Sequence, residues 1–274
     1  MPMRKSSLAV TLLALGAGSA ATALAQGVPT TQPKFVHIFR EQVKPGRAAE
    51  HAKWEAGWPA AFEKAKSPYN YIALQSITGP PEVWYVSPLA SHAAYGEMVA
   101  AENDPALAPE LDRLAKGDAE FLSEQSALQA VAMPELSHGT FPDIAKVRYY
   151  EITTFRVRPG HQDAWIAATK AYKAATARSA PGASWRTYDV VAGAPGGTYL
   201  VFSSVGSFAE FDKMMADGEA TMRGATSEEM GVLGKFMKES LISVGTNRYR
   251  VDPGQSYVNA ETKAKNPAFW AKKP

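Results

Sequence analysis

Apolar and polar side chains alternate from Phe35 to Val43 and again from Tyr149 to Val157, the period of a strand with two distinct faces. Each run closes on a basic residue and Pro-Gly, Lys44-Pro45-Gly46 and Arg158-Pro159-Gly160, 114 positions apart. Proline removes a backbone donor there and glycine lets the chain turn. The period then changes to three and four residues. His51, Trp54, Trp58, Ala61 and Phe62 fall on one helical face in the first stretch, and Trp165, Ala168, Tyr172 and Ala175 on the matching face of the second.

Two more strands follow each helix, Tyr71 to Ile77 with Val83 to Ser87, and Trp185 to Val191 with Tyr199 to Ser203. They are joined by the turns GPPE and GAPGG, which read as hairpins. Ser91 and Ser207 stand where helix N-caps are expected. Helical stretches run on to about Ser126 and Leu241, and last strands are expected near Leu128–Met133 and Ile242–Val251. Both halves therefore have the order β-α-β-β-α-β of a ferredoxin-like unit, with helices on one sheet face. The pattern predicts an α+β fold of two tandem ferredoxin-like repeats, 34–140 and 141–251, packed sheet to sheet so that each covers the other's bare face.

The ends fall outside this repeat. Arg4 and Lys5 precede an apolar run from Leu8 to Leu15 and small residues up to Ala25, the composition of a secretory signal peptide cleaved near Ala25. The apolar part is too short for a membrane span. This predicts a secreted or periplasmic protein with no stable membrane anchor after cleavage. Residues 26–33 form a short linker. Residues 252–274 form a polar C-terminal arm with Tyr257, Phe269 and Trp270 as aromatic anchors.

Composition narrows the function classes. Basic residues number 29 and acidic ones 27, so loss of Arg4 and Lys5 leaves 27 of each. Such balance gives no electrostatic footprint for nucleic acid. The chain has no cysteine, which excludes disulfides, thiolate metal sites and cysteine nucleophiles.

The segment Tyr150-Glu151-Ile152-Thr153-Thr154-Phe155-Arg156-Val157-Arg158-Pro159-Gly160 resembles the opening strand and turn of the NIPSNAP family, and the helix start Ser207-Phe208-Ala209-Glu210-Phe211 fits it too. That family stands with antibiotic-biosynthesis monooxygenase-like and EthD-like proteins in the dimeric α/β-barrel group. The resemblance spans most of residues 34–251 and implies an intrachain dimeric α/β barrel. It also implies a pocket between sheet and helices, where related barrels bind haem or flat aromatic molecules. It carries no catalytic signature.

Phe35, His37, Phe39, Glu41 and Val43 share the strand face expected to meet the helices. His37 and His51 are then the candidate catalytic groups, with Phe39, Trp54, Trp58 and Phe62 around them as ligand-binding residues of the first repeat. An imidazole pair could transfer protons or hold a metal or haem iron, and equally could be a hydrogen-bonded core residue and a first-turn residue. In the second repeat Glu151 and Arg186 are candidates for ligand binding, with ion pairing as the plainer alternative. No HExxH or similar spacing marks a metal site. Haem is possible and nothing in the sequence requires it. The expected partner is a small apolar or aromatic molecule, and self-association remains open. Three functions fit: a ligand-binding barrel, a cofactor-independent monooxygenase or haem-binding protein using His37 or His51, and a structural module without a pocket.

Overall fold

The computed structural model describes residues 28–271; the expected signal peptide lies outside them. Eight strands carry the chain: β1 (Phe35–Val43), β2 (Tyr71–Ser76), β3 (Glu82–Leu89), β4 (Leu122–Ala132), β5 (Tyr149–Val157), β6 (Arg186–Ala192), β7 (Thr198–Val205) and β8 (Leu241–Tyr257). The helices are α1 (Ala48–Glu55), α2 (Gly57–Lys64), α3 (His92–Glu102), α4 (Ala108–Asp118), α5 (Gln162–Ser179), α6 (Ala209–Gly224), α7 (Ser227–Lys235), α8 (Ala260–Lys265) and α9 (Pro267–Trp270).

All eight strands pair antiparallel in the cyclic order β1-β3-β2-β8-β5-β7-β6-β4. The repeat predicts two sheets packed face to face, and the resemblance adds that they form an intrachain barrel; the edges do join, β2 to β8 with Leu74 opposite Val251, and β4 to β6 with Ala130 opposite Val190. An open sheet edge leaves a row of unpaired amides and carbonyls. Closure into one barrel satisfies both pairs of edges at once.

Alternation sends one face of each strand inward. Val36, Ile38, Leu74, Trp84, Leu128, Tyr150, Ile152, Leu200, Phe202 and Tyr249 fill the barrel, and Tyr249 Oη donates to Glu82 Oε1 at 2.7 Å, with Arg40 on the other carboxylate oxygen at 2.6 Å. The opposite face of β1 meets the helices. Gly46 and Gly160 in the two Pro-Gly turns both have φ of 81°, so the repeated dipeptide serves one left-handed turn twice.

Several boundaries differ from the sequence pattern: β4 already starts at Leu122, within the stretch expected to be helical up to about Ser126, and the N-cap of α6 is Phe208 rather than Ser207. The first helix is two, α1 and α2, because the ring of Pro59 in a continuous helix would clash with the carbonyl of Glu55. The last strand does not stop at Val251 but continues to Tyr257, which pairs with Tyr71. The short helices α8 and α9 follow, and Trp270 is buried against the barrel core. No helix among the described residues is long and apolar enough to cross a membrane.

Candidate functional site

A cavity of about 230 Å³ opens between β1, β3 and the helices of the first half. Its walls are Phe39, Trp58, Phe62, Tyr71, Tyr85 and Tyr95. Half-buried His37 and Glu102 stand on it, and Glu41 and Glu55 end it on the buried side. Period-2 alternation brings His37, Phe39 and Glu41 here from β1. Trp58 and Phe62 come from one face of α2, four residues apart.

His37 lines the cavity with its ring 4.7 Å from that of Tyr95. Its Nδ1 is buried without a hydrogen-bond partner, and burial lowers its pKa, which favours the neutral imidazole. His51 lies elsewhere than expected. It is 1% exposed and beneath the cavity, with Nε2 3.0 Å from Glu41 Oε2 and 3.5 Å from Asp118 Oδ1. The two histidines therefore do not converge on one space, because Glu41, on the same strand face as His37, stands between β1 and His51.

Trp54 is also absent from the cavity wall. Its indole donates to the carbonyl of Leu114 at 2.8 Å and lies over Gly117, so it docks α1 on α4. A Cβ at Gly117 would sit 1.9 Å from Trp54 Cζ2. Gly117→Ala should accordingly destabilise the chain by about 1–3 kcal/mol through overpacking, which a urea titration of the variant would measure.

Sequence spacing finds only part of the buried polar group. Glu41, His51, Glu55 and Asp118 offer ligand atoms all within 4.8 Å of one another. His51 and Glu55 are one turn apart on α1, Glu41 comes from β1, and Asp118 ends α4. Gln125 Nε2 donates to Glu41 Oε1 at 3.2 Å. Glu55 Oε1 and Asp118 Oδ1 are buried with no hydrogen-bond partner. Burial, reinforced by Glu41 and Asp118, raises the Glu55 pKa well above the carboxylate range. Burial and the nearby Glu41 push Asp118 up to about 7. Among the described residues no lysine or arginine pairs with these carboxylates.

The candidates of the second half are engaged in structure. Glu151 accepts from Arg248 Nε at 2.9 Å on the neighbouring strand. Arg186 donates to the backbone carbonyls of His138 and Trp185, each at 2.6 Å, and of Gly139 at 2.9 Å. It borders a smaller apolar cavity of about 80 Å³ at the barrel end where β1, β2, β5 and β6 begin. Its donors are occupied by carbonyls, which leaves that cavity without a free polar group from Arg186.

At the positions matching the polar cluster, the second half has Phe155 for Glu41, Trp165 for His51 and Thr169 for Glu55. Trp165 stacks on Tyr199 with ring centres 4.8 Å apart, and Phe155 and Phe236 close around it at 4.7 and 5.7 Å. Aromatic rings thus fill the space that the first half gives to ionisable groups.

Haem does not fit the first cavity as formed. Its roughly 230 Å³ is below the range of about 300–1,000 Å³ usual for drug-sized ligands, and His51 Nε2 is already held by Glu41. A smaller aromatic molecule does fit, since an apolar cavity of about 150 Å³ accepts benzene.

No protein-family model matches the chain, and no curated protein matches it in sequence. Solved structures do resemble it. A monooxygenase candidate from Lactobacillus acidophilus NCFM superposes with a TM-score of 0.50 at 8% identity, covering 83% of this chain and 97% of that one. A second monooxygenase candidate, from Fusobacterium nucleatum subsp. nucleatum, gives 0.52 at 7% identity, covering 79% and 91%. A mutant chlorite dismutase from Candidatus Nitrospira defluvii gives 0.48 at 11% identity, covering 86% and 96%. At such identities the likeness is one of fold. The chain is an α+β protein with a closed, eight-stranded antiparallel barrel formed within a single polypeptide, and it shares its fold with these neighbours.

Proposed function

We propose that this is an exported, NIPSNAP-like barrel of two ferredoxin-like repeats that takes a small aromatic molecule with a hydrogen-bond donor, such as a one- or two-ring phenol, into the cavity of its first repeat. One observation carries the proposal: an aromatic-walled cavity ends on Glu55, whose Oε1 is buried and unpartnered. An orphaned buried acceptor costs about 1–3 kcal/mol, and a ligand hydroxyl would supply the missing donor. Apolar walls with few polar groups are the usual build of a small-molecule site. A purely structural role would be served best by two filled halves, whereas the first half keeps its cavity beside four ionisable side chains.

The polar end also supports a catalytic version. A phenol seated on Glu55 would have a proton acceptor at its hydroxyl, the first requirement of a cofactor-independent monooxygenase. The two monooxygenase candidates of similar fold are compatible with it. Oxygen uptake on adding a bound phenol distinguishes this version from simple binding.

Calorimetric titration with 2-naphthol tests the proposal. The protein should bind one equivalent, and Ser87→Phe should abolish binding by placing a ring in the cavity that Ser87 lines. The variant should otherwise be as stable as the parent, since the ring enters existing empty space. Undiminished 2-naphthol binding by Ser87→Phe would place the ligand elsewhere.

A further inference from the structure

We propose that Glu41, His51, Glu55 and Asp118 form a site for one divalent transition-metal cation, of the Mn²⁺, Fe²⁺ or Zn²⁺ class, at the inner end of the first-half cavity. The inference goes beyond ligand uptake, and the cation would engage the same Glu55 Oε1 that a phenol hydroxyl would meet in the metal-free protein. Charge is the first reason. Three carboxylates and one imidazole are buried together, at 4%, 3%, 1% and 1% exposure for Glu41, Glu55, Asp118 and His51. The described residues supply no lysine or arginine to balance them. Isolated buried carboxylates are so costly that they pair, protonate or coordinate a metal.

The orphaned oxygens are the second, independent reason. Glu55 Oε1 and Asp118 Oδ1 are buried without a hydrogen bond, the latter 3.5 Å from His51 Nε2, and both belong to the cluster whose ligand atoms lie within 4.8 Å of one another. A cation between the side chains would engage both oxygens.

Geometry is the third. Ligand atoms bound at 2.0–2.2 Å to one ion lie roughly 3.0–3.5 Å apart when adjacent. His51 Nε2 is 3.0 Å from Glu41 Oε2 and 3.5 Å from Asp118 Oδ1, and the whole set spans at most 4.8 Å. A small contraction would bring the four onto one ion.

The ligand types choose the ion. Carboxylates alone suit Mg²⁺, Ca²⁺ and Mn²⁺, whereas an imidazole adds preference for Fe²⁺ and Zn²⁺. Glu41 and Glu55 line the cavity while His51 and Asp118 do not. An ion here would thus be held from below and reached from the cavity, leaving coordination positions facing a bound molecule. In the second half Phe155, Trp165 and Thr169 occupy the matching places, so the site would exist once per chain.

The test uses the purified full-length chain freed of metal with a chelator, then titrated calorimetrically with MnCl₂ and separately with ZnCl₂. One equivalent should bind per chain and raise the melting temperature. Glu55→Gln and Asp118→Asn should each weaken binding at least about 100-fold, more than loss of a group behind a ligand does, and Glu151→Gln, in the other half, should leave it unchanged. The two amide variants keep the side-chain shape and remove a buried charge, so metal-free they should melt at or above the parent temperature. Failure of the chain to take up either ion stoichiometrically would overturn the proposal, as would Glu55→Gln and Asp118→Asn binding as tightly as the parent. Titration of the metal-free protein with 2-naphthol separates the two ideas: binding without metal uptake refutes the cation site and leaves ligand uptake standing, and the converse refutes ligand uptake alone.

Discussion

Trp165→Ala will lower the stability of the chain by about 4 kcal/mol, within the range of roughly 3–5 kcal/mol for removing a buried large aromatic side chain. The indole is 3% exposed and lies in a cluster with Leu136, Val157, Ala168, Tyr199 and Phe236. These neighbours come from β5, β7, α5, the turn after β4 and the segment before β8, so they cannot collapse together into the space. For a domain of this size the midpoint of thermal unfolding should fall by about 10 °C. Trp165→Phe should lose much less, because a ring would still stack on Tyr199. Calorimetric melting of the three proteins checks the order. The variant should bind 2-naphthol in its first half as the parent does, since no wall of that cavity involves Trp165. Equal melting temperatures for parent and Trp165→Ala would mean that the second half is not packed as described.

His51→Ala will cost about 3 kcal/mol in chelator, the upper end of the penalty for leaving a buried hydrogen-bonding group unpartnered. Glu41 would lose the imidazole at 3.0 Å and keep only the 3.2 Å donor Gln125. Asp118 would lose the imidazole nitrogen 3.5 Å from its Oδ1. His51→Gln can still donate to Glu41 and should retain more than half of the lost stability. His51→Trp, which imitates the second half at one position, should be at least as damaging as the alanine variant. Its indole would meet Glu41 and Asp118, whereas Trp165 meets Phe155 and Phe236. Urea unfolding of the three variants measures all of this; a His51→Ala chain as stable as the parent would show that the imidazole does not compensate the carboxylates.

Much of this site is legible in the sequence where local periodicity controls it. Alternation alone puts His37, Phe39 and Glu41 on the helix-facing side of β1, and helical spacing puts Trp58 and Phe62 on one face. The comparison of His51 with Trp165, 114 positions later, marks where the halves diverge. What local periodicity does not encode is depth. His51 and His37 look alike as face residues, yet one is sealed beneath Glu41 and the other stands at the cavity. Glu55 could have been found as the residue one turn after His51 on the same face. Asp118 had no such signal, since it reaches the cluster only through the docking of α4 on α1 at Trp54 and Gly117. Barrel closure is legible only through the family resemblance, not through periodicity, because pairing of β2 with β8 joins residues about 180 positions apart. Arg186 illustrates the reverse, a charged residue whose donors are used up by the carbonyls of one loop.

The central claim is that the first half holds a ligand site in the space that the second half fills with aromatic rings. A crystal structure of the protein soaked with 2-naphthol tests it most directly. The rings should lie between Phe39, Trp58 and Phe62, with the hydroxyl within hydrogen-bond distance of Glu55 Oε1. Density for the naphthol at the barrel end beside Phe141 and Tyr188, or next to Trp165 in the second half, with the first-half cavity unchanged, would contradict it.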